Sequence, residues 1–232
     1  MSGVLVVIPA RLGSTRLPRK PLLRETGKYL IQHVWERAQE IEGADEIVIA
    51  TDSDEILAAV ASFGGRAELT AVTHESGTDR VAEVARTRDA ALVINVQGDE
   101  PSLPAQDVSA LIAAMSATPD AEMGTLTFAD LTEAQQAEPS IVKAVVESGW
   151  AIDFRREATV GAAWHVGVYA YLPKFLQEFT RLQPTSNERE RRLEQMRALD
   201  HGHRILAVAA SQPPHGIDTP QDYAAFVAAH GE

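Results

Sequence analysis

Short apolar segments alternate with amphipathic ones along the first half of the chain, and this alternation restricts the fold more than any other feature. Val4–Ile8, Glu46–Ala50 and Ala91–Val96 are rich in β-branched residues, as expected of strands buried on both faces of a parallel sheet. Tyr29–Ile41 and Ile56–Phe63 lie between them and carry apolar residues at helical spacing. Strands and helices that alternate in this way predict a doubly wound α/β fold.

The second half of the chain follows the same two patterns less regularly. No linker rich in proline, glycine or serine, no repeat and no low-complexity tract interrupts it. We therefore expect one domain over residues 1–232, with a Rossmann-like, mixed but mostly parallel sheet flanked by helices. The further predicted helices are Thr78–Arg86, Pro104–Met115, Phe175–Phe179, Glu188–Leu199 and Thr219–Ala229, and the further predicted strands are Arg66–Leu69, Met123–Phe128, Ile141–Val146, Trp164–Tyr171 and Arg204–Ala209.

The charge balance limits the kinds of partner. The chain has 21 lysines and arginines against 33 aspartates and glutamates, and such an acidic protein binds nucleic acid or an anionic membrane poorly. The N-terminus lacks the basic and apolar regions of a signal peptide, and no apolar run approaches the roughly 20 residues of a membrane span. With no cysteine, the chain has neither a disulfide nor a thiolate nucleophile. We expect a cytoplasmic protein without nucleic-acid or membrane partners.

One loop runs against this overall charge. Arg11, Arg16, Arg19, Lys20 and Arg24 fall within fourteen residues, directly after the first predicted strand. Small residues, hydroxyls and several cations in one loop suit a triphosphate, although a solvated basic loop is the alternative. The loop contains neither the P-loop pattern Gly-x-x-x-x-Gly-Lys-Ser/Thr nor the dinucleotide pattern Gly-x-Gly-x-x-Gly, so both of those sites are excluded.

Three loops are expected to meet at one edge of the predicted sheet. In open α/β sheets, ligands bind at the carboxyl ends of the strands. Pro9–Pro21, His74–Arg80 and Gln97–Pro101 each follow a predicted strand. The fold rule therefore predicts that these loops lie side by side and form one site.

Six segments together resemble the 3-deoxy-manno-octulosonate (KDO) cytidylyltransferases, also called CMP-KDO synthetases. The first is Arg-x-x-Ser-Thr-Arg-Leu-Pro-x-Lys-Pro-Leu at residues 11–22, a loop that spore-coat and sialic-acid cytidylyltransferases share. Its combination with Val-Gln-Gly-Asp-Glu-Pro at residues 96–101 is much more specific to the KDO enzymes. The resemblance runs from about residue 4 to residue 225. The other matching segments are Ala50–Asp52, His74–Arg80, Leu193–Arg197 and Gly216–Pro220.

The resemblance implies an activity and a fold of the nucleotide-diphospho-sugar transferase type. Members of this family transfer CMP from CTP to the anomeric hydroxyl of KDO and release pyrophosphate, in the synthesis of lipopolysaccharide precursors. The resemblance also implies Mg²⁺ as the cofactor, CTP and a sugar acid as partners, and a homodimer, which nothing in the periodicity of the sequence indicates. Phosphoryl chemistry of this kind needs positioning and charge neutralisation more than a covalent nucleophile.

The resemblance assigns roles to particular side chains. It implies that Asp99 and Asp218 bind the metal and that Arg11 and Lys20 join them as catalytic residues. The implied nucleotide-binding residues are Ala10, Arg11, Ser14, Thr15, Arg16, Lys20, Ser76, Gly77, Thr78, Arg80 and Gln97. The implied sugar-binding residues are Gln97, His165, Tyr169, Glu194 and Gln195.

Several of these assignments have a plain structural alternative. Polar residues that end strands or begin helices serve as turn and capping residues in most proteins. Polar residues inside strands and helices pack against neighbours or face solvent. The alternatives are a turn carboxylate for Asp99, a helix N-cap for Asp218 and for Thr78, a surface helix residue for Arg80, packing on one strand face for His165 and Tyr169, and a solvated charged helix for Glu194.

One segment departs from the family pattern. Members usually have a longer stretch between their equivalents of Asp153–Arg155 and His165–Gly167, often with proline and aromatic residues, and it helps to shape the sugar pocket and the dimer. Here residues 156–164 contain no proline. Either Arg155 or Arg156 is a candidate to meet the carboxylate of the sugar.

The shortened segment leaves two alternative functions open. The first is a cytidylyltransferase for another sugar acid, such as a sialic-acid-like or 8-amino-KDO-like substrate. The second is a catalytically silent nucleotide-binding scaffold, whose expected sign is the loss of Lys20, Asp99 or Asp218. All three residues are present, so the sequence favours an enzyme.

Overall fold

The computed structural model describes residues 3–231, in which strands and helices alternate. The strands are β1 (Gly3–Ala10), β2 (Glu46–Thr51), β3 (Ala67–Leu69), β4 (Ala90–Asn95), β5 (Met123–Phe128), β6 (Lys143–Glu147), β7 (Trp150–Arg155), β8 (Ala163–Tyr171) and β9 (Ile205–Ala209). The helices are α1 (Leu30–Ala38), α2 (Asp54–Ser62), α3 (Gly77–Ala85), α4 (Ala105–Ala117), α5 (Glu133–Ala137), α6 (Pro173–Phe179), α7 (Ser186–Arg191), α8 (Met196–Asp200) and α9 (Pro220–His230). Among the described residues, no helix has the length and apolar character needed to cross a membrane.

The chain comprises two compact units. Unit 1 contains Met1–Gln106 and Pro214–Glu232, and unit 2 contains Asp107–Pro213. Unit 1 therefore joins the N-terminal part of the chain to its last helix. The single domain that the sequence predicts over residues 1–232 stays a prediction.

Unit 1 is built on four parallel strands in the order β3-β2-β1-β4. The residues Leu5–Ile8 of β1 are at most 2% exposed, because β1 is paired on both sides and α1 and α3 pack against it. This burial explains why the strand is a continuous run of large apolar side chains. Since the strands are parallel, their carboxyl ends lie at one edge, as predicted for the loops that follow them.

Unit 2 contains five strands in the order β8-β5-β9-β7-β6. The pair β5–β9 is parallel, whereas β5–β8, β7–β9 and β6–β7 are antiparallel. Strand β6 also pairs with β8, so the pairings close into a ring. The mixed α/β fold is confirmed, and its parallel part is the sheet of unit 1 together with the β5–β9 pair.

Three features of unit 2 differ from the sequence-based expectation. The single helix predicted over Glu188–Leu199 is wrong, because Arg192 adopts a left-handed conformation with φ 54° and separates α7 from α8. The sequence analysis also misses β7 and the short helix α5. Strand β7 mixes buried and exposed positions without the strict alternation that marks a half-buried strand.

Candidate active site

The basic loop after β1 is held in place by a few apolar side chains. Most of its polar residues are exposed, but Leu17 is buried in a cluster with Leu30, Ile217, Tyr223 and Phe226. The loop then turns through Arg19, which has φ 57°, into a single 3-10 turn over Lys20–Leu22 that contains the buried Pro21. The buried Leu17 and Pro21 fix the backbone on both sides of Lys20, and this fixes the position from which its side chain extends.

The loop after β4 approaches the end of β1 closely. A side chain at Gly98 would place its Cβ 2.7 Å from the carbonyl oxygen of Pro9, which is too close for any residue larger than glycine. Val96 donates from its backbone N–H to the carbonyl of Val7 at 3.1 Å. The predicted Gln97–Pro101 loop is therefore packed directly on the strand that carries the basic loop, and Asp99 follows at once.

The segment before α9 brings the second carboxylate to Asp99. The backbone N–H of Ile217 donates to the carbonyl of Asp99 at 2.8 Å, and the side chain of Ile217 is 2% exposed. Asp218 is not the N-cap of α9, because Thr219 takes that role in a capping box with Asp222. The capping alternative for Asp218 is thus wrong, and its carboxylate is available for other partners.

Lys20 lies between the two carboxylates. Its Nζ donates to Asp99 Oδ2 at 2.6 Å, to Asp218 Oδ1 at 3.2 Å and to the carbonyl of Ile217 at 2.8 Å. Arg16 forms a further ion pair with Asp218 at 3.1 Å. The side chain of Lys20 is 12% exposed, whereas those of Asp99 and Asp218 are 31% and 47% exposed. A cation therefore already bridges two carboxylates that remain open on their other sides.

The carboxyl group of Glu100 lies beside this cluster. Burial, with a further contribution from the charge of Asp99, raises the pKa of Glu100 to about 8. One carboxylate oxygen of Glu100 is buried without a hydrogen-bond partner among the described residues. The shift follows mainly from the loss of hydration on burial, and the charge of Asp99 acts in the same direction.

The donor set fits a magnesium ion. Two carboxylates are the usual protein contribution to Mg²⁺ in nucleotide-dependent enzymes, where waters and phosphate oxygens complete the octahedron. Within the described part of the chain, no group of three or more His, Cys, Asp or Glu side chains could hold a metal by itself.

The third loop ends in a well-capped helix. Ser76 is the N-cap of α3 and forms a capping box with Asp79, so the N-cap alternative for Thr78 is wrong. Arg80 is not a surface residue either, since it is 3% exposed, pairs with Asp52 and donates to Thr70 Oγ1 at 2.8 Å. A buried ion pair of this kind fixes the start of α3 against the end of β2.

One cavity of about 420 Å³ collects nearly all the predicted nucleotide and metal residues. Its volume lies within the range of about 300–1,000 Å³ that is typical of small-molecule sites. Thr78 is predicted but lies buried in α3 and does not line the cavity. The lining residues that the sequence analysis names are Ala10, Arg11, Ser14, Thr15, Arg16, Lys20, Ser76, Gly77, Arg80, Gln97, Asp99 and Asp218.

Five other lining residues are not among the predicted site residues. They belong to the same three loops, so the motifs locate them, but their side chains carry no pattern of their own. His74 pairs with Glu83 of α3, which fixes the start of the third loop. The additional lining residues are Pro9, Gly13, His74, Glu75 and Gly98.

Four of the predicted sugar-binding residues lie in unit 2, where three of them, His165, Tyr169 and Gln195, form a cluster. The ring centroids of His165 and Tyr169 are 5.4 Å apart, and the Tyr169 hydroxyl donates to Gln195 Oε1 at 3.4 Å. His165 also contacts Thr125 Oγ1 at 3.1 Å. Glu194 is close enough for its charge to act on Tyr169. Gln97, the fifth predicted sugar residue, belongs to unit 1 and lines the cavity described above.

This cluster is buried and electrically neutral near pH 7. Burial lowers the pKa of His165 to about 3. Burial, together with the charge of Glu194, raises the pKa of Tyr169 above its usual range. Gln195 is 4% exposed, and its Nε2 has no hydrogen-bond partner among the described residues. An unsatisfied buried amide donor is unusual in a packed interior, and it suits a site that a polar ligand completes.

Comparisons with known proteins agree with the motifs. Residues 5–205 match the family model described as cytidylyltransferase. Two relatives named 3-deoxy-manno-octulosonate cytidylyltransferase come from Geobacter sulfurreducens, 39% identical over 95% of this chain and 96% of the relative, and from Escherichia coli, 43% identical over 95% of this chain and 93% of the relative.

Solved structures give the same result for the fold. A CMP:2-keto-3-deoxy-manno-octonic acid synthetase complexed with CTP is 41% identical, with a TM-score of 0.92 over 98% of both chains. A 4-diphosphocytidyl-2C-methyl-D-erythritol synthase from Anaerococcus prevotii is 13% identical, with a TM-score of 0.66 over 98% of this chain and 96% of that one. The second likeness concerns the fold alone.

Proposed function

The chain belongs to the cytidylyltransferase family, and from that premise we propose that it transfers CMP from CTP to KDO and releases pyrophosphate. The observation that carries this proposal is the cluster of Lys20, Asp99 and Asp218 at the floor of a cavity lined by the family motifs. Relatives named for this activity match almost the whole chain. The product is an activated sugar for lipopolysaccharide precursors. A homodimer stays a prediction.

In the proposed reaction, the anomeric hydroxyl of KDO attacks the α-phosphorus of CTP. The new bond joins the sugar oxygen to that phosphorus, the bond to the bridging oxygen of pyrophosphate breaks, and the hydroxyl proton is released to solvent. Arg11, Arg16 and Lys20 would hold the triphosphate and neutralise the charge that builds up on the departing pyrophosphate. These side chains hold the substrates in the reacting geometry. The entropy cost of bringing two separate substrates together is therefore met on binding rather than in the reaction step.

We propose that Asp99 and Asp218 hold Mg²⁺ beside the α-phosphate. When bound, the ion would polarise that phosphate and lower the pKa of the attacking hydroxyl. Lys20 now bridges the two carboxylates, and a metal that takes over this contact would free its ammonium group for the phosphates. The donor chemistry of the two carboxylates supports this assignment.

We propose that the unit 2 cluster binds the sugar acid through neutral hydrogen bonds. The imidazole of His165 and the hydroxyl of Tyr169 can each donate or accept a hydrogen bond. The side-chain amide of Gln195 has an Nε2 without a hydrogen-bond partner among the described residues. Neutral buried groups discriminate between sugars by hydrogen-bond geometry, because a substrate that lacks the matching hydroxyl leaves them unpaired. This property would give the enzyme selectivity for one sugar acid.

The test is release of pyrophosphate from purified protein with CTP, Mg²⁺ and KDO. ATP, GTP and UTP serve as nucleotide controls, and sialic acid and 8-amino-KDO as acceptor controls. Release that requires both CTP and KDO supports the proposal. Release with another acceptor but not with KDO would show that the substrate is a different sugar acid. Failure to bind CTP in the presence of Mg²⁺ would overturn the nucleotide assignment and favour the silent scaffold.

A further inference from the structure

The turn between α7 and α8 has an unusual backbone conformation and carries two of the proposed sugar residues. Arg192 ends α7 with φ 54° and ψ 50°, a left-handed conformation that is strained for a residue other than glycine. Glu194 and Gln195 follow after Leu193. If the helix continued through Arg192, as the charged pattern predicts, Gln195 would leave its place beside the hydroxyl of Tyr169.

The guanidinium of Arg156 holds this turn. Its Nε donates to the carbonyl of Arg191 at 3.0 Å, and its Nη2 donates to the carbonyl of Arg192 at 3.4 Å. Carbonyls at the end of a helix lack intrahelical partners, and an arginine there satisfies them and complements the helix dipole. The remaining terminal nitrogen, Nη1, donates to the carbonyl of Pro139 at 3.3 Å.

The backbone of Arg156 is itself anchored by a buried lysine. Lys143 on β6 has 0% exposure, and its Nζ donates to the carbonyl of Arg156 at 3.0 Å and to that of Glu138 at 2.5 Å. The desolvation of Lys143 is therefore offset by two main-chain carbonyls. Because these contacts lie at the start of the shortened segment 156–164, that segment begins from a fixed point.

The neighbouring arginine differs in every one of these respects. Arg155 is 49% exposed and pairs with the side chain of Asp153 at 2.5 Å. Arg155 is the last residue of β7, whereas Arg156 follows outside the strand. Of the two, only Arg156 donates to the carbonyls of the turn.

We infer that Arg156 is a positioning residue for the sugar acid, which it does not contact: it holds the left-handed turn at Arg192 and so places the amide of Gln195. This inference rests on the proposed function. Each of its three nitrogens donates to a main-chain carbonyl, which fixes the guanidinium at the turn. The shortened segment thus contributes to specificity through the shape of the turn.

The test compares Arg156→Met with Arg181→Met in the pyrophosphate assay. Arg156→Met should raise the KM for KDO about tenfold or more and leave the KM for CTP within about twofold, since two lost charge-assisted hydrogen bonds are worth at least this factor. Arg181→Met removes an exposed arginine of the same unit that has no proposed role, and it should change neither constant. Arg156→Lys keeps the charge but loses the planar set of guanidinium donors, so its KM for KDO should lie between those of wild type and Arg156→Met. This variant replaces Arg156→Met in the test if the methionine variant does not fold.

A double variant separates positioning from direct contact. If Arg156 acts through Gln195, adding Arg156→Met to Gln195→Ala should raise the KM for KDO by less than about twofold more. Independent, multiplying effects would overturn the inference, as would equal changes in both KM values or an unchanged KM for KDO in Arg156→Met. These results differ from failure of the proposed function, in which the wild-type protein itself releases no pyrophosphate with KDO.

Discussion

The two clusters differ in charge, exposure and construction. In unit 1, Lys20 bridges the carboxylates of Asp99 and Asp218, and both carboxylates are partly exposed on loops. In unit 2, His165 and Gln195 are 8% and 4% exposed and uncharged, and His165 is part of a strand. Charged groups lose several kcal/mol when they are taken fully out of water, which explains why the charged cluster is built from loops and the neutral one from the packed interior.

This difference predicts two modes of recognition. A partly exposed cluster of opposite charges suits a triphosphate with its metal, whose affinity depends on charge and on salt. A buried neutral cluster suits a sugar, whose hydroxyls are distinguished by direction rather than by charge. Changes that remove charge from the unit 1 cluster or add charge to the unit 2 cluster test this difference.

The largest effect is expected from Asp99→Asn, which removes one charge from the unit 1 cluster without changing its shape. We expect kcat/KM to fall by about 100-fold or more, because a site that stabilises developing charge loses a principal ligand. Pyrophosphate release at saturating Mg²⁺ measures this loss. The control is Asp130→Asn, an exposed carboxylate at the end of β5, which should leave kcat/KM unchanged. Near-normal turnover of Asp99→Asn would show that Asp99 is not a required metal ligand.

The sequence predicts the unit 1 cluster much better than the surroundings of the unit 2 cluster. In unit 1, each functional loop is a contiguous motif after a buried strand, so its residues are adjacent in sequence and the fold rule assembles the loops. Even there, cap positions are misplaced: Ser76 and Thr219 are the N-caps, where the sequence also allows Thr78 and Asp218. Neighbouring polar residues compete for a cap, and side-chain geometry decides between them.

In unit 2, the turn that presents Gln195 has no signal in the sequence. Charges of both signs at helical spacing predict a continuous helix from Glu188, yet Glu188 and Arg197 form a buried ion pair across a break. The left-handed residue is an arginine rather than a glycine or asparagine, and the carbonyls that it exposes are satisfied by the distant Arg156. Long-range contacts of this kind override local propensity.

The second prediction adds charge to the neutral cluster by lowering the pH. Burial lowers the pKa of His165 to about 3, so the folded state resists protonation while the unfolded state takes up a proton near pH 6.5. Stability is therefore retained above about pH 6.5 and lost as the pH falls, by about 2 kcal/mol at pH 5.

Urea unfolding of wild type and His165→Gln at several pH values measures this contribution. The free energy of unfolding of the wild type should fall more steeply between pH 6.5 and pH 5 than that of His165→Gln, which has no titrating ring. Identical slopes for the two proteins would show that His165 is protonated in the folded state. The unit 2 cluster would then be charged, and the contrast with unit 1 would disappear.

The third prediction concerns which arginine of the basic loop binds CTP. Arg16 lines the cavity and pairs with Asp218, whereas Arg19 pairs with Glu55 of α2. Arg16→Gln should raise the KM for CTP about tenfold, the usual effect of losing one hydrogen bond to a charged group. Arg19→Gln should leave this KM unchanged although it removes the same charge from the same loop. Equal effects of the two variants would mean that only the net charge of the loop matters.

The smallest effect separates structure from chemistry at two adjacent residues. Thr219 caps α9, since its hydroxyl accepts from the backbone N–H of Asp222 at 3.2 Å, and Thr219→Ala should lower the free energy of unfolding by about 1 kcal/mol. Asp218→Asn should leave stability nearly unchanged but reduce pyrophosphate release strongly. Urea unfolding and initial rates on both variants test this separation. If Thr219→Ala reduced activity as much as Asp218→Asn, the position of the helix rather than the carboxylate would be the main requirement of the charged cluster.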